Sequence, residues 1–126
     1  MKDFRQLKVW ERAHRLVLAI YKASAGFPKE ELYGLTSQIR RASASVPTNI
    51  AEGCGRGSDA DFARSLQLAM GSACEMEHQL LLSVDLGFLG RDDFTPLQAD
   101  VEEVKRMLSG LLKTLRTESR TLMAES

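Results

Sequence analysis

The stretch DADFARSLQLAMGSACEMEHQLLLSVDL, residues 59–86, decides the fold class of this chain. Its apolar residues recur at alternating spacings of three and four, which is typical of a helix packed in a bundle or coiled coil. They are Phe62, Leu66, Ala69, Ala73, Met76, Leu80 and Val84. The pattern predicts a helix over residues 58–86, roughly 40 Å long at 1.5 Å per residue. Ser58 or Asp59 would cap its start, and Gly87 and Gly90 would end it.

Three further helices are predicted around this one, over residues 3–25, 30–53 and 93–118, with residues 120–126 as a frayed tail. The helix over 3–25 has one broad apolar side, formed by Leu7, Trp10, Ala13, Val17, Ile20 and Tyr21. The apolar stripe of the next consists of Leu35, Ile39, Ala42, Val46 and Ile50. The apolar stripe of the helix over 93–118 consists of Val101, Val104, Leu108, Leu111, Leu112 and Leu115. Pro96 is tolerated in the first turn of this helix.

Pro47 lies in the middle of the predicted helix over 30–53. Proline removes one backbone hydrogen bond, so either a kinked helix or two shorter helices would fit. We favour one helix kinked at Pro47, because the apolar stripe keeps its phase across the proline.

Four amphipathic helices joined by short connections predict an all-α fold, with one domain over residues 1–126. The expected architecture is an antiparallel up-down-up-down four-helix bundle. Hydrophobic residues make up 44% and charged residues 27% of the chain, which excludes a disordered protein. No apolar run approaches a membrane span, and the N-terminus lacks the apolar core of a signal peptide. We therefore expect a cytoplasmic protein without a membrane partner. In that compartment two buried free thiols at Cys54 and Cys74 are favoured over a disulfide between them.

The 17 basic and 17 acidic residues give a net charge of zero, but they are unevenly distributed. Residues 1–25 carry six basic and two acidic side chains, whereas residues 58–90 carry one basic and five acidic. Cationic stripes on the first and last helices would merge if these helices were neighbours. Such stripes either solvate the surface or contact nucleic-acid phosphates. Without exposed aromatic residues, we expect no stacking of single-stranded bases. The candidate nucleic-acid contacts are Arg5, Lys8, Arg12, Arg15, Lys105, Lys113, Arg116 and Arg120.

A second set of polar residues flanks the apolar stripes and predicts a structural polar network. Glu77 lies within an apolar seam, where a carboxylate needs a partner, and Arg41 is the natural candidate. A general acid/base site is the alternative interpretation, although no nucleophile with an adjacent base is visible. The proposed network consists of Gln38, Arg41, Asn49, Glu52, Glu75 and Glu77.

No catalytic, cofactor-binding or metal-binding residue is predicted. Glu75 and His78 have the spacing of a di-iron motif, but such sites need two of these motifs. The glycine-rich segment 53–57 lacks the Gly-Lys-Ser/Thr ending and the preceding strand of a phosphate loop.

Several short motifs resemble the four helix bundle protein family, whose members were first noticed as products of intervening sequences in bacterial large-subunit ribosomal RNA genes. The motifs are FxxLxVW at 4–10, FPxxExYGL at 27–35, QIRRA at 38–42, VPxNIAEG at 46–53 and GSxxExE at 71–77. The resemblance implies a homopentamer and a relationship to the basic, pentameric accessory protein of diversity-generating retroelements. It assigns no catalytic role to the matching residues, which are Arg40, Arg41, Asn49, Glu52, Glu75 and Glu77. The zero net charge departs from the basic retroelement relatives.

Besides an acid/base enzyme, which would rest only on Arg41, Glu52, Glu75 and Glu77, two functional hypotheses follow. The first is a non-enzymatic homo-oligomeric binding module, expected to be pentameric and associated with RNA or the ribosome. The second is a structural protein-interaction bundle without nucleic acid, in which the basic first helix meets the acidic third helix of a neighbour.

Overall fold

The computed structural model describes residues 2–125 and contains four α-helices. Helix α1 spans Lys8–Ser24, α2 spans Leu35–Cys54, α3 spans Asp59–Asp85 and α4 spans Arg91–Glu125. Short 3₁₀ turns at Phe4–Gln6 and Lys29–Glu31 precede α1 and α2, and no strand occurs within residues 2–125. The prediction of an all-α fold with four helices is confirmed.

The first two helices begin later than predicted. The Asp3 carboxylate accepts a hydrogen bond from the Arg5 backbone N–H at 3.0 Å and caps a single 3₁₀ turn. Extended Leu7 then separates this turn from α1. Before α2, extended Pro28 and the non-helical backbone of Gly34 likewise confine residues 29–31 to a separate turn.

Helix α4 is longer than predicted at both ends. It begins at Arg91, so Pro96 lies beyond its first turn, and it continues to Glu125. Residues 120–125, predicted as a frayed tail, are helical, and fraying of this end stays a prediction, while Ser126 lies outside the described residues. The physical reason is that no glycine or proline follows Leu115 to stop the helix.

Helix α3 has the predicted ends. The Ser58 hydroxyl accepts a hydrogen bond from the Asp61 N–H at 3.1 Å and caps its start. At its end, Gly87 adopts a φ of 78°, which glycine reaches without steric cost. The Gly87 and Phe88 N–H groups then bond the carbonyls of Val84 and Ser83, as in a Schellman motif. These contacts turn the chain into α4.

The four helices surround one hydrophobic core. Helices α1 and α3 each pack against both α2 and α4, whereas no close backbone approach joins α1 to α3 within residues 2–125. Helices α1 and α3 therefore lie across the bundle from each other. The up-down order of the helices and the kink at Pro47 stay predictions.

Most predicted core positions are buried, but the face of α1 differs from the prediction. The entire predicted stripe of α2 is buried, and so is that of α3 up to Leu80. In α1, Val9 and Leu16 are buried although they lie outside the predicted apolar side, whereas Tyr21, which belongs to that side, is 45% exposed. Ala13 and Ile20 of the predicted side are buried as well, so the periodicity of α1 identified the side facing the core only in part.

Helices α2 and α3 approach each other closely because small residues line their contact. A Cβ atom on Gly53 would lie 2.7 Å from the Ser65 Cβ atom. Farther along the same contact, the Ser72 hydroxyl donates to the Ser45 hydroxyl oxygen at 2.8 Å. The Asn49 side-chain amide donates to the same hydroxyl oxygen at 3.0 Å. The contact is therefore both tight and partly polar.

Candidate interaction surfaces

Half of the eight predicted nucleic-acid contacts lie in ion pairs within the chain. Arg12 of α1 contacts Asp100 of α4 at 3.3 Å and thereby joins the two helices. Lys105 contacts Glu77 at 2.9 Å. The other two pairs are Arg5 with Asp3 at 3.1 Å and Arg15 with Glu11 at 3.8 Å. A cation that already has an anionic partner gains less from contacting a phosphate, so these four are weaker candidates.

The other four predicted cations are exposed, and no ion pair links them to any side chain that the structure describes. Lys8 begins α1, and Lys113, Arg116 and Arg120 lie near the end of α4. Spacings of three and four place these last three on one side of their helix. Three of these four cations therefore lie together at the end of α4.

Glu77 binds Lys105 and Gln98 of α4 rather than Arg41, which corrects the predicted pairing. The Lys105 ammonium donates to Glu77 Oε1 and the Gln98 amide donates to Glu77 Oε2, both at 2.9 Å. The hydrogen bond from Lys105 is the main cause that lowers the pKa of Glu77. The same bond raises the pKa of Lys105. The arrangement stabilises both charged forms and crosslinks α3 to α4.

The remaining members of the predicted network do not converge. Glu52 contacts Arg56 at 3.5 Å, one turn along the chain, while Asn49 donates to Ser45. Gln38, Arg41 and Glu75 are exposed. These residues lie on the same helices as predicted, but their side chains point to different surroundings, so no acid/base cluster forms among them.

Arg40 is a structural residue that the sequence indicates only as part of the QIRRA motif. Its Nε donates to the Ser24 hydroxyl oxygen at 2.8 Å, and its Nη2 donates to the Tyr21 carbonyl at 3.2 Å. The guanidinium carbon also lies 4.7 Å from the centroid of the Tyr21 ring. A cation is favourable at a helix C-terminus, so Arg40 stabilises the end of α1 and holds α2 beside it. The QIRRA motif indicated Arg40, but it did not indicate that Arg40 contacts the end of α1.

Exposed apolar residues occur on both α1 and α3. On α1, Leu18 is 59% exposed and lies among exposed basic residues. On α3, Leu68, Leu82 and Leu86 are 54%, 38% and 52% exposed. These three lie on one side of α3 together with Glu75. Both surfaces thus combine apolar area with charged residues, which are Glu11, Arg15 and Lys22 on α1 and Arg64 and Glu75 on α3.

No metal-binding cluster of three or more His, Cys, Asp or Glu residues occurs in the part of the chain that the structure describes. The His14 ring stacks on Trp10 with centroids 4.8 Å apart, and His78 is exposed. Both cysteines are free: Cys54 is buried and Cys74 is exposed, so the expectation of two buried thiols is wrong for Cys74. None of the described helices is long and apolar enough to cross a membrane.

The sequence model of the 23S rRNA-intervening sequence protein family matches residues 5–110. The chain belongs to this family. Membership in the 23S rRNA-intervening sequence proteins confirms the resemblance drawn from the motifs. The match ends within α4, so the last residues of that helix lie beyond it.

A crystal structure of a protein of unknown function from the S23 ribosomal protein family of Bacteroides thetaiotaomicron VPI-5482 is similar to this 23S rRNA-intervening sequence protein, with a TM-score of 0.77. The similarity covers 83% of this chain and 95% of the other, at 24% sequence identity. At this identity the similarity establishes the fold alone. No curated protein matches the chain.

Proposed function

We propose that this protein is a non-enzymatic binding module that assembles with copies of itself head to tail. In this assembly the outer face of α1 on one copy contacts the outer face of α3 on the next. The single observation that carries the proposal is the placement of two complementary faces across the bundle from each other.

The two faces differ in charge and share exposed apolar area. The α1 face presents Leu18 between Lys22 and Arg15, and Arg15 is paired with Glu11 of the same face at 3.8 Å. The α3 face presents Leu68, Leu82 and Leu86 beside Glu75 and Arg64, with Asp85 at its end. Apolar contact supplies affinity, while complementary charge selects the partner surface.

A contact between two different faces of the same molecule propagates until it closes into a ring or continues as a filament. The family resemblance implies five subunits, so we propose a closed pentameric ring. The zero net charge fits this arrangement, since each copy contributes one basic and one acidic face.

Charge-swapped variants test the assembly. The first variant carries Glu75→Lys and Asp85→Lys, and the second carries Arg15→Glu and Lys22→Glu. Each has two faces of like charge, so we expect each alone to show a lower mass by light scattering after size exclusion. A third variant that combines all four changes restores opposite charges on the two faces and should regain the mass of the wild type. The wild-type assembly should loosen as ionic strength rises.

The variant Asp92→Lys with Asp93→Lys is the matched control, since it changes charge equally on exposed residues outside both faces. It should assemble like the wild type. A wild-type protein that is monomeric at physiological salt would contradict the proposal, as would assembly that ignores both charge swaps.

We also propose that the assembled module contacts RNA through Lys113, Arg116 and Arg120 of α4. Their exposure on one side of the helix supports this second function, and so does the family's ribosomal RNA context. Phosphate contacts of this kind are blind to sequence and weaken with salt.

Reversal of Lys113 and Arg116 to glutamate should therefore weaken binding to a short RNA duplex and flatten its salt dependence by about one unit of slope per lost contact. The measurement is fluorescence anisotropy between about 50 and 200 mM salt. The control, Lys29→Glu with Arg91→Glu, makes the same charge change on exposed residues outside the end of α4 and outside both assembly faces. Equal losses in both variants would show only a net-charge effect and would contradict the assigned surface.

A further inference from the structure

An open groove lies where the end of α1, the connection between α1 and α2, and the start of α2 meet. It has a volume of about 500 Å³, within the range of about 300 to 1,000 Å³ found for ligand pockets. Tyr21, Leu32, Tyr33, Arg40 and Arg41 are among the residues that line it. Tyr33 is 93% exposed, so the expectation that the chain has no exposed aromatic residue is wrong.

The charged groups of this groove are arginines. Arg41 is exposed and has no ion-pair partner among the described side chains. The guanidinium of Arg40 is held by Ser24 and by the backbone and ring of Tyr21. No acidic residue occurs among the described residues that line the groove. Nearby Glu31 accepts a hydrogen bond from the Leu35 N–H at 3.1 Å and caps α2.

We propose that this groove binds an unpaired nucleotide of single-stranded nucleic acid, with the base stacked on Tyr33 and an adjacent phosphate on Arg41. Aromatic rings and arginine planes are the surfaces on which unstacked bases pack, and arginine is the usual partner of phosphate. A purely acidic peptide satisfies the arginines but leaves the Tyr33 ring without a planar partner. Bases in a duplex are already stacked and cannot reach it.

The groove is distinct from the cationic surface of α4, so this site does not rest on the RNA contact proposed above. A single-stranded ligand tests the groove, whereas a duplex of the same length reports the backbone contacts alone. The single strand therefore reports failure of the groove proposal, and the duplex reports failure of the proposed contact with α4.

The experiment measures anisotropy of a labelled oligoadenylate RNA with the full-length protein. Tyr33→Ala should weaken binding by about tenfold, the effect of losing one stacked base. Tyr33→Phe keeps the ring and should bind within about twofold of the wild type. Arg41→Ala should also weaken binding, whereas the control Arg64→Ala, which removes an exposed cation of α3, should not. Because Tyr33 and Arg41 are exposed, these variants should fold, and circular dichroism checks this directly.

Duplex binding should be unchanged in Tyr33→Ala. Three results would overturn the proposal: unchanged oligoadenylate binding in Tyr33→Ala, an equal loss for duplex and single strand, or no oligoadenylate binding by the wild type at about 50 mM salt. Displacement of the oligoadenylate by an equal concentration of polyglutamate would also overturn it, because the groove would then be a docking site for acidic peptides.

Discussion

Gly53 lies where the backbone of α2 comes closest to α3. A Cβ atom there would approach the Cβ of Ser65 to 2.7 Å and Cδ1 of Phe62 to 3.0 Å, and Gly53 itself is buried. Gly53→Ala should therefore lower the free energy of unfolding by about 1 to 3 kcal/mol, because the two helices must separate to admit the methyl group. Urea denaturation measures the change.

Gly71 provides the matched control, since it lies within α3 and a methyl group there would meet no neighbouring side chain or helix within 4 Å in the described part of the chain. Gly71→Ala should raise the free energy of unfolding by about 0.5 to 1 kcal/mol through helix propensity alone. An equal gain of stability in Gly53→Ala would contradict the close approach of α2 and α3 at this position.

The pair of Glu77 and Lys105 makes stability depend on pH in a defined direction. The pKa of Glu77 is lowered in the folded protein. Its contribution to the free energy of unfolding is therefore present above the ordinary glutamate pKa of about 4.3 and is lost as the pH falls through the folded pKa. The pKa of Lys105 is raised, so its contribution is lost only in strongly alkaline solution. Glu77→Gln should cost about 1 kcal/mol at neutral pH and progressively less in acid.

The measurement is the difference in unfolding free energy between wild type and Glu77→Gln across acidic and neutral pH. Glu118→Gln serves as the control, because Glu118 is exposed and no ion pair links it to any side chain that the structure describes. A difference that stays constant down to acidic pH would mean that Glu77 stabilises by packing rather than by its charge.

At the scale of the element, α4 differs most from its prediction. Its last buried residue is Leu115, and every side chain that the structure describes from Arg116 to Ala124 is exposed. Removal of residues 118–126 should therefore change the free energy of unfolding by less than about 0.5 kcal/mol.

Leu115→Ala is the contrasting change within the same helix, and it should cost at least about 2 kcal/mol by leaving a cavity. Thermal or urea unfolding compares the two variants. A large loss of stability in the truncated chain would show that the end of α4 contributes to the core.

The α1 and α2 helices show how much an apolar pattern can predict. In α2 the stripe from Leu35 to Ile50 is buried as predicted, because most of the exposed positions of this helix are polar. In α1, apolar residues occupy more than one side, and the chain buries Val9 and Leu16 while Leu18 and Tyr21 stay exposed. A single helix does not specify which of two apolar sides faces its neighbours.

For the whole molecule, the distribution of charge matters more than its sum. The excess positive charge of residues 1–25 and the excess negative charge of residues 58–90 belong largely to helices that lie across the bundle from each other. A molecule of zero net charge can therefore present two oppositely charged sides. This arrangement supports assembly in one direction, from the basic face of one copy to the acidic face of the next.

The sequence by itself determined the four-helix class, the core of α2 and most of α3, a cap at Ser58 or Asp59 and the turn at Gly87, since each depends on spacing or on a local backbone preference. Only the tertiary structure decided that Glu77 pairs with Lys105, that Arg40 holds the end of α1, and that Tyr33 lies exposed beside Arg41. Those outcomes depend on which side chains meet across helices, and long polar side chains have several partners within reach until packing fixes the register.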